Sequence, residues 1–267
     1  MKERFPPEGH PISAQKAKEL LAGNLVDAYR NILKGCCIPI YWFRLNAKNP
    51  EILHNGTLTL VRTPKGLLGI TAAHVLQTYK SDSDKEPTRL QLDNEVVDDL
   101  LGRVIDVSDK LDLATIAIDE GLLNSFGKAI TPLNSWPPQP PEEGKGIMIA
   151  GYPAIERLQP ESLKVNFGLF TVLGMARVVT ETQITWLVEP EYQLENAKIK
   201  APPSNYNLGG VSGGPLISWF ESANHVTHYR LSGIVTEHPD YENSDFSIER
   251  LIAIRADVVR DNGTIRP

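Results

Sequence analysis

The chain has almost no cysteine: two in 267 residues, Cys36 and Cys37, side by side. Adjacent thiols cannot tie distant segments together, so the disulfide framework of a small secreted domain is excluded. Two buried free thiols are expected instead, and with them a reducing, cytoplasmic compartment. Long apolar runs are missing too. No stretch approaches the ~18 apolar residues of a membrane-spanning helix. The start, Met1-Lys2-Glu3-Arg4-Phe5-Pro6-Pro7, lacks the apolar core of a secretion signal. Positive charge is in deficit, with 27 Lys and Arg against 33 Asp and Glu, and no basic cluster occurs. A nucleic-acid footprint is therefore not expected. Metal-ligand spacing is also absent. His225 and His228 fall on opposite faces of a strand, with no Cys or Glu at ligand spacing, so neither metal nor cofactor is implied. What remains is ordinary for a globular protein, 41% hydrophobic and 22% charged. The length allows one large domain or two small ones around a sizeable core.

Residues 1–12 are rich in Pro and charge and read as an arm. Ser13 fits a helix N-cap. Apolar residues then recur with a helical period at Ala17, Leu20, Leu21, Leu25, Ala28, Tyr29, Ile32 and Leu33. Gly23-Asn24 weakens the middle of this segment, and Gly35 is a stop. From Cys37 the pattern changes to short β-rich runs, at 38–45, 55–62, 66–71, 103–107 and 111–118. More follow at 146–151, 165–173, 175–180, 183–188, 215–220, 228–236 and 251–254. Ser81 to Pro87 reads as an exposed loop, 189–209 as mixed loop, and Ala256 to Asp261 as a short closing helix. Trp136-Pro137-Pro138-Gln139-Pro140-Pro141 separates two similar sets of strands. It fits a stiff spacer and an extended surface connector equally well. Many short strands with frequent turn signals predict an all-β sandwich or barrel. The expected layout is an arm and helical extension (1–36), a first β unit (37–135), a Pro-rich connector (136–145), and a second β unit with its closing helix (146–267).

Chemistry concentrates in Asn207-Leu208-Gly209-Gly210-Val211-Ser212-Gly213-Gly214-Pro215. Glycines allow φ > 0 and close approach to the main chain. A serine in such a turn has N–H groups beside it that converge on one point. Acyl transfer needs that pairing of an oxygen nucleophile with oxyanion donors. On this stretch alone, a Gly-rich hairpin turn fits as well. The nucleophile needs a base. Of His10, His54, His74, His225, His228 and His238, His74 is distinctive, closing an apolar strand in small residues, Gly69-Ile70-Thr71-Ala72-Ala73-His74. The base needs an orienting carboxylate. Asp112 lies in Leu111-Asp112-Leu113-Ala114-Thr115-Ile116, where an unpaired carboxylate would be costly. Receiving a histidine N–H and backbone N–H groups would remove that cost. Asp106 and Asp109 lie in more polar surroundings and read as solvated.

Thr71-Ala72-Ala73-His74, Asp112-Leu113-Ala114 and Gly210-Val211-Ser212-Gly213-Gly214-Pro215, in that order, resemble the trypsin-like (chymotrypsin-fold) serine peptidases. Gly151-Tyr152-Pro153 resembles a strand-end motif of bacterial members. The resemblance spans roughly residues 38–260 and implies two packed six-stranded antiparallel β-barrels. It implies an endopeptidase acting on protein or peptide, with Ser212 as nucleophile, His74 as base and then acid, and Asp112 fixing the imidazole tautomer. The N–H groups of Gly210 and Ser212 would form the oxyanion hole. Thr236 would sit near Asp112, and the edge Thr236, Glu237, His238 would pair with substrate main chain. Tyr206, six residues before the serine, would lie at the pocket base, with no aspartate there to select Lys or Arg. Two departures matter. The disulfides of secreted members are absent. Val211 stands where digestive members carry an aspartate that pairs with a new N-terminus after zymogen cleavage. That latch is unavailable, so the site is either formed constitutively or ordered by a partner, for which the N-terminal helical segment is a docking candidate.

Three other readings compete. Gly210-Val211-Ser212-Gly213-Gly214 fits a nucleophile elbow, but no histidine follows Asp240, the first aspartate after Ser212. A subtilisin-like order would place the acid at Asp27, inside a helical segment. A barrel that binds peptides or partners without turnover is the serious alternative.

Overall fold

Helix gives way to strand at Cys36–Cys37 with no loop between them. The computed structural model describes residues 19–20, 22–45, 51–127, 129–161, 163–187, 206–221, 227–236 and 250–267. Helix α1, Asn24–Cys36, begins after Gly23, the expected weak point, and buries Val26, Leu33 and Cys36. β1, Cys37–Arg44, continues directly and is buried on both faces. Ile38, Ile40 and Trp42 enter one apolar cluster, while Tyr41 and Phe43 enter another. Then come β2 (Glu51–Thr63), β3 (Gly66–Thr71), α2 (Ala73–Lys85), β4 (Thr88–Leu92), β5 (Glu95–Val96), β6 (Val104–Ser108), β7 (Leu113–Ile118) and α3 (Glu120–Ser125). β1 to β7 form an antiparallel sheet in the order β5-β4-β1-β2-β3-β7-β6.

The later strands are β8 (Gly146–Gly151), β9 (Arg157–Glu161), β10 (Lys164–Phe167), β11 (Phe170–Met175), β12 (Val178–Val179), β13 (Gln183–Leu187), β14 (Pro215–Glu221), β15 (Thr227–Thr236) and β16 (Arg250–Arg255). They build a second antiparallel sheet, β11-β8-β14-β15-β16-β13-β12, with β9 and β10 as a separate hairpin. The chain is thus the all-β pair of antiparallel units that the sequence predicts. Each sheet counts seven strands because it includes a two-residue edge strand, β5 or β12, too short to leave a sequence pattern. One apolar cluster joins the two sheets. It holds Leu33, Cys36 and Cys37, then Val61, Leu68, Ile70 and Leu113 from the first sheet, and Met148, Ala150, Ile217, Leu231 and Ile234 from the second.

Three local expectations change. Residues 81–85 belong to α2 instead of a loop. The Tyr79 ring packs on Trp42 at 5.3 Å, and Asp82 accepts the Trp42 indole N–H at 3.0 Å, which holds the polar last turn on the sheet. The run 165–173 is broken into β10 and β11, which join different sheets. The closing helix is a single 3₁₀ turn, Ala256–Val258, because Val259 is extended and bridges Ile265. The Pro-rich segment lies along β15, with Gln139 N–H donating to the Leu231 carbonyl at 3.0 Å. Most of residues 189–209, and all of 1–12, lie outside the described residues. Among the described residues, no helix is long and apolar enough to cross a membrane.

Candidate active site

β3 ends in small residues because the chain must turn there into α2, and Ala72 and Ala73 are fully enclosed. The first N–H groups of a helix have no partner within it. Here they find one at the start of β7. Ala73 N–H donates to the Asp112 carbonyl at 3.1 Å, and His74 N–H donates to Asp112 Oδ1 at 2.9 Å. Asp112 Oδ2 lies 2.8 Å from His74 Nδ1. A carboxylate only accepts, so Nδ1 carries the proton and Nε2 is the basic nitrogen. Asp112 reaches this position through a left-handed backbone, φ 49°, which aspartate tolerates better than most residues. That turn is why β7 starts at Leu113 and not at Leu111.

Ser212 lies in the tight turn before β14. Gly210 and Gly213 hold φ of 101° and 92°. A Cβ at Gly210 would strike Asn55 and the Tyr152 carbonyl, and one at Gly213 would strike the Thr57 carbonyl. Glycine is therefore required there by both angle and space. The turn is fixed through its carbonyls. Gly209 O accepts from Ala154 N–H and Val211 O from Gly214 N–H, both at 2.8 Å. Across a trans peptide the N–H points opposite to the carbonyl, so the Gly210 and Ser212 N–H groups face away from those anchors. Neither donates to any described residue. Ser212 is 2% exposed, and its Oγ has no hydrogen-bond partner.

The structure thus brings His74 and Asp112 together and leaves the Ser212 hydroxyl unbonded. The two halves of the site are linked one step back. Thr57 N–H donates to the Ser212 carbonyl at 2.8 Å, and Thr71, three residues before His74, donates its hydroxyl to the Thr57 carbonyl at 2.7 Å. Val211 is buried in the apolar cluster of the second sheet, against Gly151. Tyr206 belongs to that same cluster and stacks on Phe170 at 5.8 Å. Its hydroxyl donates to Glu156 Oε1 at 2.8 Å. Burial, and then this bond, push the phenol above its ordinary pKa. Thr236 is buried at the end of β15 but makes no hydrogen bond to Asp112, whose two carboxylate oxygens are engaged by His74. Glu237 and His238 lie outside the described residues. Asp109 accepts from the Gln77 side chain at 2.8 Å. Asp106, read as solvated, is half-buried and accepts from Ile265 N–H at 2.8 Å, holding the C-terminal segment. Among the described residues no group of three or more His, Cys, Asp or Glu could hold a metal ion.

Sequence reasoning missed the threonines of β2. Thr57 and Thr59 are fully buried. Their hydroxyls donate to the carbonyls of Gly210 at 2.9 Å and Gly213 at 2.7 Å. The signal was present: Thr57-Leu58-Thr59-Leu60 puts two hydroxyls on one face of a strand whose other face is apolar. A buried hydroxyl needs a partner, and none is available along the strand itself. Asn55 was missed too. Its amide donates to the Tyr152 carbonyl at 2.7 Å, over Gly210.

No protein-family model matches the chain, and no curated protein sequence matches it. Among solved structures it is similar to the active form of the Rv3671c protease from M. tuberculosis. The two are 14% identical, with 95% of this chain and 87% of that chain covered, and the TM-score is 0.47. It is likewise similar to a Glu endopeptidase solved in complex with MPD, at 14% identity over 84% of this chain and 85% of that chain, with a TM-score of 0.43. Likenesses this distant carry no argument about the chemistry of this chain, which rests on its own residues: an imidazole tied at two points to a carboxylate, and a serine in a glycine turn.

Proposed function

We propose that the chain is a serine endopeptidase. Ser212 attacks the scissile carbonyl, and His74 Nε2 takes its proton and returns it to the leaving amine. Asp112 holds the protonated Nδ1 and stabilises the imidazolium. The N–H groups of Gly210 and Ser212 receive the oxyanion. The observation that carries this reading is the Ser212 hydroxyl, buried without a partner in a turn that leaves those two N–H groups unengaged. A buried, unsatisfied hydroxyl costs about 1–3 kcal/mol, and a nucleophile awaiting substrate accounts for it. Ser218 Oγ also lacks a partner, but it lies inside β14, which is paired on both sides. Substrate main chain would pair at the end of β15 beside Thr236, with Glu237 and His238 as further contacts to it and Tyr206 behind the turn. Val211 lies in an apolar cluster, so a zymogen salt bridge does not control the site, and a partner would act instead by controlling access to it. A partner using α1 would meet its outer face, which includes Leu25, because Val26 and Leu33 face inward.

The missing hydrogen bond between Ser212 and His74 favours one other reading, a catalytically silent barrel that binds peptides or partners. A fluorophosphonate probe separates the two. Labelling of the wild type, and none of Ser212→Ala, is the expected result. No labelling of the wild type, with or without candidate partners, would establish the binding module instead.

A further inference from the structure

We propose that Thr57 is the positioning residue that sets the oxyanion turn, clamping it from the opposite sheet so that the nucleophile is preorganised without proteolytic activation. This rests on the peptidase reading given above. The carbonyls of the turn are anchored in succession. Gly209 O accepts from Ala154 N–H, Gly210 O from Thr57 Oγ1, Val211 O from Gly214 N–H, Ser212 O from Thr57 N–H and Gly213 O from Thr59 Oγ1. Three of these five anchors come from β2, and two of them come from Thr57 alone.

The direction of the Thr57 hydroxyl is itself determined. Tyr152 N–H donates to Thr57 Oγ1 at 3.0 Å, so the hydroxyl proton is committed to the Gly210 carbonyl at 2.9 Å. That matters because Gly209-Gly210 is the softest part of the turn. Two glycines in a row can rotate the peptide between them at little steric cost, and such a rotation would carry the Gly210 N–H away from the developing oxyanion. Ala154 holds the peptide plane before Gly210 and Thr57 holds the plane after it, which together fix φ and ψ at Gly210. The Thr57 carbonyl accepts from Thr71 Oγ1, so the same residue ties the turn to the strand that leads to His74. Thr57 thereby does the work that an ion pair at position 211 would do, and Val211 leaves no room for that pair.

The test compares Thr57→Val and Thr57→Ser with the wild type. Valine keeps the shape and removes the hydroxyl, while serine restores it. Peptide turnover and fluorophosphonate acylation are read alongside thermal unfolding, and ¹⁵N-resolved amide exchange follows Ala154 and Gly214, whose N–H groups hold the turn at the Gly209 and Val211 carbonyls. The proposal expects Thr57→Val to fold, to lose roughly 10²–10³-fold in kcat with KM little changed, and to exchange both amides faster. Thr57→Ser should recover most of the rate. A valine variant with wild-type rate and exchange, a loss carried by KM, or a loss that serine fails to recover would each overturn it. If the wild type proves unreactive, the peptidase reading falls by that result alone. The clamp is then judged on amide exchange, where unchanged Ala154 and Gly214 protection in Thr57→Val overturns it and faster exchange upholds it.

Discussion

Asp112 serves two neighbours at once, and substitutions can separate the two roles. Its carbonyl and Oδ1 receive the first N–H groups of α2, while Oδ2 receives the His74 ring. Asparagine keeps a side-chain oxygen for the helix end and tolerates the left-handed backbone, but its amide faces imidazole Nδ1 with a donor. Asp112→Asn should therefore unfold near the wild-type temperature yet lose roughly 10⁴-fold in kcat, as a wrong tautomer does in such a triad. Asp112→Ala should lose activity and, in addition, roughly 0.5–2 kcal/mol of stability, the usual value of a helix cap, read from urea midpoints. Asp93 gives a pH effect of its own. Burial raises its carboxyl above the ordinary range, Glu95 raises it further, and Lys34 acts in the opposite direction. The folded chain thus holds that proton more tightly than the unfolded chain does. The associated stability is present below the usual carboxylate pKa of about 3.9 and is lost as pH rises through the raised value. Asp93→Asn should raise the unfolding temperature at pH 7, with the gain shrinking towards zero near pH 3. Asparagine also suits the positive φ of 55° at that position. The thiols are quieter: burial pushes the Cys37 thiol well up, and its S–H donates to the Leu33 carbonyl at 3.1 Å.

At the scale of elements, α1 behaves as part of the core and not as an appendage. Leu33 is 1% exposed and sits in the cluster that joins the sheets, and the Tyr29 ring lies 4.8 Å from Trp219 of β14. Leu33→Ala should cost about 2–5 kcal/mol in denaturant unfolding, as a core leucine does. A helix merely resting on the surface would lose far less. β2 was legible as a strand from its β-branched residues, but its role in the site was not. Propensity places Thr57 in a strand without saying which carbonyl its hydroxyl will find 153 residues later. α2 shows the converse failure. Ser81-Asp82-Ser83-Asp84 favours loops by composition, and only the tertiary bonds to Trp42 reveal why those residues stay helical.

For the whole molecule, the sequence was most informative where burial and charge conflict. An aspartate among Leu111, Leu113 and Ala114 had to be paired, and its partner is His74. The glycines around Ser212 announced a turn, and the structure adds that the turn is built by both sheets. Its anchors come from Thr57 and Thr59 before it in the chain and from Val235 after it, through the Gly213 N–H to Val235 O and Val235 N–H to Gly214 O bonds at 2.7 and 2.8 Å. The turn is therefore a conjunction, complete only when the surfaces of both sheets are present together. During synthesis, the ribosome releases Thr57 early and Val235 late. A chain extended only as far as Ser212 holds Thr57 and Thr59 but lacks the Val235 bonds, so the finished turn is among the last things the nascent protein acquires.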